Sequence, residues 1–304
     1  KYSYKSLRKL FVLTNGRFND RMSNKISDQY PPYQLREMKG VLGDLNDAKI
    51  NTVIENLQKN GYYIFDAVLS EKTINEITHY AENTEAMLIP PHEDGTKISI
   101  YDRQNIKSPR YQFSEVDNIN STIIQNITSD PSLFAIAQAY LKCQPIHSST
   151  AIWWSAAYKK EASSEAAQLY HFDMDRFKFI KFFFYLTDVN TDNGPHCYVR
   201  GSHTFLPKLV RKDGRISDEE IQKSFPSKDV LEITGAKGTI LAVDTRGLHK
   251  GKVLAKGERL LLQVEFANSL FGSPFNSINL TENVAPQFRE MMTAYKHSFQ
   301  RFKS

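Results

Sequence analysis

The chain has 304 residues, 40% of them hydrophobic and 24% charged, and a formal net charge of +5, the balance of a folded globular protein rather than a disordered one. Lys and Arg are interleaved with Asp and Glu, which argues against a nucleic-acid partner and leaves a small molecule as the expected one. No stretch approaches the roughly 18–20 apolar residues of a membrane span, so no stable membrane insertion is expected, and Cys143 and Cys197 lack disulfide or metal spacing, which suggests free thiols and a cytoplasmic setting.

Residues 1–46 form a basic, aromatic extension in which Leu7, Leu10 and Phe11 fall at helical spacing beside Lys5, Arg8 and Lys9. That pattern suits a helix packed on the domain, or an amphipathic contact with anionic lipid. Residues 47–304 are expected to make one domain. Ile50, Val53, Ile54 and Leu57 place one apolar stripe on a helix from Ala48 to Asn60, and Gly61 supplies its stop. Tyr62–Phe65 reads as a strand, and Ser70 as the cap of a helix running to about Glu82. Residues 85–117 are polar and irregular, an expected loop region in which Arg110 and Tyr111 are substrate-contact candidates.

Asp130-Pro131 opens a helix through Leu141, with proline at its favoured first position and Phe134, Ala137 and Leu141 turned to the core. Ser148 to Ala157 reads as a strand carrying Trp153 and Trp154, one of them a packing residue. Lys159 to Ala167 is polar and suits a flap over the site.

The segment Tyr170-His171-Phe172-Asp173-Met174-Asp175 carries the chemistry. Residues i and i+2 of an extended chain share a face, so His171 and Asp173 approach one ion from one side. An imidazole and a carboxylate suit ferrous iron if a second histidine joins them, and His249, in Asp244-Thr245-Arg246-Gly247-Leu248-His249, is the candidate. Three positions of an octahedral ion would then stay open. Asp175 shares the parity but reads as a supporting or solvated group.

Ile180 to Leu186 is apolar on both parities apart from Lys181, which must be either a buried charge serving an anionic ligand or an end-of-strand residue reaching to water. Asp192-Asn193-Gly194-Pro195 marks a turn before His196 and Gly201-Ser202-His203. His196 is read as a partly exposed strand residue, with a substrate contact as the alternative, and His203 stays outside the ligand set. The basic excursion Lys208 to Lys228 contains a capping box at Ser217 and Glu220. Val230–Thr234, Thr239–Val243 and Leu260–Phe266 are further strands, and a helix after Pro286 carries an apolar stripe from Phe288 to Phe299, read as core or as a homodimer contact.

The order of His171-x-Asp173, the turn at Asn193-Gly194, Gly201-Ser202-His203, His249 and Arg259 resembles the phytanoyl-CoA dioxygenase family over roughly residues 50–270. The resemblance implies a mainly β fold with flanking helices around a double-stranded β-helix (jelly-roll, cupin-like) core. It also implies an Fe(II)/2-oxoglutarate-dependent dioxygenase that uses O2 and releases succinate and CO2. His171, Asp173 and His249 would be the metal ligands, and Arg259 would pair with the distal carboxylate of 2-oxoglutarate, for which a guanidinium fork is well shaped. Two departures stand out: Gly251 where relatives often carry a hydroxyl residue that helps the arginine, and His196 where they usually carry an apolar one. The retained Asp173 argues for hydroxylation over halogenation.

The expected substrate is a small polar or anionic molecule, held between the 101–111 loop and the basic excursion by Arg103, Lys107, Arg110, Lys208, Arg211, Lys212 and Arg215. Two readings of other classes compete. One takes Asp173-Met174-Asp175 as the metal motif of a glycosyltransferase and requires a parallel α/β domain. The other is a non-enzymatic jelly-roll binding module.

Overall fold

A computed structural model describes residues 2–158 and 161–303. Two antiparallel sheets face one another. The larger has eight strands in the spatial order Tyr62–Val68, Thr239–Val243, Phe179–Tyr185, Glu258–Ala267, Ile146–Ala156, Arg110–Gln112, Ala86–Leu88 and Ile98–Ser99. The smaller has three, with His196–Val199 between Val230–Ile233 and His249–Gly251. This is the mainly β, jelly-roll architecture with flanking helices that the sequence suggested.

Alternation along the central strands assigns one parity to the main core and the other to the space between the sheets. Ile180, Phe182 and Phe184 join Leu260, Leu262, Val264, Phe266, Ile152 and Trp154 in that core, beneath the helix Pro131–Leu141. Lys181, Phe183, Arg259, Gln263, Glu265 and Trp153, on the other parity, line a cavity between the sheets. Because every residue of Phe179–Tyr185 is buried, its sequence could not show which face was which.

Local chemistry sets the flanking helices. Asn46 accepts from the Lys49 N–H to start Asp47–Asn60, and Gly61, at φ 84°, ends it. A Cβ at Gly61 would lie 2.1 Å from the Tyr198 hydroxyl, so space as well as conformation demands glycine. Glu71–Asn83 follows its Ser70 cap, and the capping box at Ser217 and Glu220 opens Asp218–Ser224.

Some expectations hold and others need amendment. Residues 85–117 are not merely a loop, since three short strands there extend the large sheet. The helix Pro131–Leu141 is buried on nearly all sides, not on one stripe. Residues 2–29 form two helices whose Leu7 and Phe11 bury against Phe172, so the amphipathic face is covered by the domain. The stripe after Pro286 is core, with Phe288, Met291, Tyr295 and Phe299 packed beneath the large sheet. Lys159 and Lys160 of the expected flap lie outside the described residues; Ala166 and Ala167, at its end, line the cavity. Both cysteines are free and buried. Among the described residues, no helix is long and apolar enough to cross a membrane.

Candidate active site

His171, Asp173 and His249 meet at the mouth of the small sheet, each offering a ligand atom within 4.8 Å of the others. Backbone pairing brings them together. His171 and His249 exchange N–H···O bonds of 3.0 and 2.9 Å, and the Asp173 N–H donates to the Thr245 carbonyl at 2.8 Å. Asp173 Oδ1 lies 3.6 Å from His171 Nε2, and Oδ2 lies 3.4 Å from His249 Nε2.

The tautomers follow from the neighbours. Nδ1 of His171 faces the Leu169 carbonyl at 2.8 Å and Nδ1 of His249 faces the Gly247 carbonyl at 2.9 Å. A carbonyl can only accept, so each Nδ1 carries the proton and each Nε2 presents its lone pair to the cluster. Burial and the neighbouring His249 push the His171 pKa down to about 3, which keeps that ring neutral. Two imidazoles and a carboxylate on one side of an open space fit an Fe(II) ion.

Beneath the triad, the Lys181 ammonium is buried among three carboxylates, 2.7 Å from Asp173 and 3.4 Å from both Asp175 and Glu265. Burial would raise the Asp173 carboxyl, but the Lys181 ammonium outweighs it and holds that pKa well below its ordinary value. Glu265 goes the other way, because burial there outweighs its share of one ammonium. Lys181 is the buried charge of the two readings, but the anions it meets are the protein's own carboxylates rather than a ligand. Asp175 supports from behind, accepting from the Ser273 hydroxyl at 3.0 Å.

The loop that presents His249 is itself braced. Arg246 donates to the fully buried Asp244 through Nε and Nη2, and the Tyr140 hydroxyl donates to the same carboxylate. Ser202 accepts from the Leu248 N–H at 2.7 Å, and His203 contacts the Gln58 carbonyl at 3.0 Å, away from the cavity. The Gly-Ser-His segment is therefore structural, as expected.

The cavity, about 490 Å³, runs from the triad to Arg259 on one side and to Glu115, Arg176 and Arg301 on the other. Arg259 is 5% exposed, yet only its Nη2 has a partner, the Ser155 hydroxyl at 3.3 Å. Its Nε and Nη1 have none among the described residues. An unpaired buried guanidinium calls for an anionic ligand. No side chain at Gly251 assists it; Ser155, from the neighbouring strand, supplies the hydroxyl.

Of the seven basic residues expected around the substrate, only Arg110 lines the cavity, stacked 4.3 Å over Trp153. Burial and Arg259 push the Arg110 pKa down to about 10. Arg103 pairs with Glu82 and Glu258, and within the basic excursion Lys212 pairs with Glu220 while Arg215 donates to the Ser164 hydroxyl. Tyr111 is a core residue, with its hydroxyl on the Lys107 N–H, and Trp154 packs beside Tyr101 while Trp153 faces the cavity. His196 departs most from expectation: it is buried, lines the cavity and stacks on His249. Its alternation with Tyr198 was visible in the sequence, but the facing sheet was not.

Residues 57–253 match the phytanoyl-CoA dioxygenase (PhyH) family. The chain belongs to that family. The match spans the whole triad and ends just before Arg259. Solved structures resemble the chain in fold. SnoN, a non-heme alpha-ketoglutarate-dependent epimerase from nogalamycin biosynthesis, superposes with a TM-score of 0.53 at 16% identity, covering 73% of this chain and 84% of its own. The carbocyclase SnoK from the same biosynthesis gives 0.53 at 13% identity, covering 75% and 86%. EctD from S. alaskensis, solved with 2-oxoglutarate and 5-hydroxyectoine, gives 0.53 at 16% identity, covering 84% and 95%. No curated protein sequence matches the chain. Antiparallel pairing throughout the two main sheets leaves the glycosyltransferase reading without the parallel domain it needs.

Proposed function

We propose that this phytanoyl-CoA dioxygenase family member is an Fe(II)/2-oxoglutarate-dependent oxygenase that hydroxylates a small polar molecule with O2, releasing succinate and CO2. The observation that carries the reading is one cavity holding both the His171–Asp173–His249 cluster and a buried guanidinium without an anion. His171, Asp173 and His249 hold the iron, and Arg259 receives the distal carboxylate of 2-oxoglutarate. Bound iron supplies the redox chemistry that couples loss of CO2 from the keto acid to oxidation of the substrate.

The protein's own residues prepare that chemistry. Lys181 fixes the carboxylate of Asp173, and the Leu169 and Gly247 carbonyls fix the two imidazoles, so the donor set is arranged before an ion arrives. Beyond the triad the wall is polar, with Glu115, Ser148, Arg176 and Asn276, which supports a compact substrate rich in hydrogen-bonding groups over a long apolar chain. The non-enzymatic alternative gains no support from a complete triad beside an unpaired arginine.

The test is anaerobic loading with Fe(II) and 2-oxoglutarate, then admission of O2 with a panel of small polar compounds and measurement of succinate. Substrate-stimulated succinate release is expected. Failure to bind 2-oxoglutarate in the presence of Fe(II) would remove the proposal.

A further inference from the structure

Among the described residues, nine buried side-chain atoms lack a hydrogen-bond partner. Three of them, Arg259 Nε, Arg259 Nη1 and His196 Nε2, belong to residues that line the cavity, and the other six belong to residues outside its lining. Arg259 has been accounted for by the distal carboxylate of the co-substrate. His196 has no assigned task.

Its position links the metal cluster to the arginine. The ring stacks on His249 with centroids 5.5 Å apart and planes 10° from parallel, and packs 5.0 Å from Phe183. Its backbone lies directly opposite Gly251, where a Cβ would stand 3.5 Å from Arg259 Nη2. Cross-strand pairing thus sets a polar ring at position 196 opposite a position that places no side chain beside Arg259. A phenylalanine or leucine would fill the same space, so packing does not explain the nitrogen. A polar atom is left without a partner in an interior only at a cost, and here the missing partner is sought in a ligand. A carboxylate accepts at about four lone-pair sites, so one held by a guanidinium fork still has room for another donor.

We propose that His196 is a second binding residue for the 2-oxoglutarate carboxylate that Arg259 pairs with, its imidazole donating one N–H to that group. The inference rests on the Fe(II)/2-oxoglutarate reading of the cavity. In it, the imidazole at position 196 adds a co-substrate contact opposite a position that offers no side chain beside Arg259.

The test is calorimetric titration of the anaerobic, Fe(II)-loaded protein with 2-oxoglutarate and, separately, with pyruvate, which has the keto acid end but no distal carboxylate. His196→Phe keeps the stacked ring and removes the donor; His196→Gln keeps a donor at similar reach. The Phe variant is expected to bind 2-oxoglutarate about 10–100-fold more weakly, as for loss of a hydrogen bond to a charged group, with pyruvate binding and Fe(II) loading unchanged. The Gln variant should recover most of the loss. Unchanged 2-oxoglutarate affinity in the Phe variant would overturn the proposal, as would an equal loss for pyruvate or a loss of iron, either of which would assign His196 to the support of His249. If His196→Phe fails to fold, His196→Leu answers the same question. Wild-type protein that binds iron but neither keto acid would refute the co-substrate reading itself, whereas normal wild-type binding with an indifferent variant refutes only the role of His196.

Discussion

Replacing Lys181 with methionine removes the single ammonium shared by Asp173, Asp175 and Glu265 while keeping most of its volume. The side chain is almost fully buried, and its closest carboxylate is 2.7 Å away. Breaking a buried pair by deleting one partner costs about 3–5 kcal/mol, because the remaining charges lose compensation. An unfolding entropy of about 2.1 cal/mol/K per residue amounts to roughly 640 cal/mol/K for this chain, so the melting temperature of the metal-free variant should fall by about 5–8 °C. A bound dication would offset part of the exposed negative charge. The deficit should therefore shrink when Fe(II) is present, and thermal unfolding of wild type and Lys181→Met, each with and without anaerobic Fe(II), measures this. A deficit that is equal in both conditions, or below about 1 °C in both, would refute the view that Lys181 balances the metal-site carboxylates.

Other expectations follow from the same geometry. Asp173→Ala and His249→Ala should each abolish Fe(II) binding and 2-oxoglutarate turnover with the far-UV circular dichroism unchanged, whereas Asp175→Ala should retain iron, as metal titration will report. Arg259→Ala should raise the 2-oxoglutarate requirement by an amount equivalent to about 2–5 kcal/mol, and Arg259→Lys should recover only part of it, both read by calorimetry at fixed Fe(II). The Asp244 carboxyl is held at about 2: burial raises it, but Arg246 and Tyr140 outweigh that. Its depressed folded pKa adds stability that is present above the unfolded carboxylate value near 4 and is lost as pH falls towards 2. Asp244→Asn should accordingly lower the wild-type melting temperature at neutral pH and flatten its fall between about pH 4 and 2, which an acid series of melts will show.

Local sequence carried much of the architecture because caps and alternation act over a few residues. Gly61 and Ser70 bounded their helices, and the two-residue period placed His171 and Asp173 on one side of an extended segment. Hydrophobic runs located the central strands within one or two residues at each end. Where a strand is buried on both sides, as at Phe179–Tyr185, periodicity has no contrast and the cavity face stayed hidden. The basic excursion misled for a related reason: a string of lysines and arginines says nothing about the acids folded against it, and Glu220 and Ser164 engage charges that were expected to meet a substrate.

What the sequence determined by itself is the inventory: a β-rich fold, a His-x-Asp pair, a second histidine and a later arginine in the order of one oxygenase family. Tertiary structure decided which of these groups share a space and in what state. The backbone exchange between His171 and His249 closes the triad, and carbonyls two residues back from each histidine set its tautomer. The pairing of His196 with Gly251, the burial of Lys181 among three acids and the unpaired nitrogens of Arg259 all come from strands distant in sequence. Register between such strands is a long-range property, and a charge or a lone pair acquires a role only through what register sets opposite it.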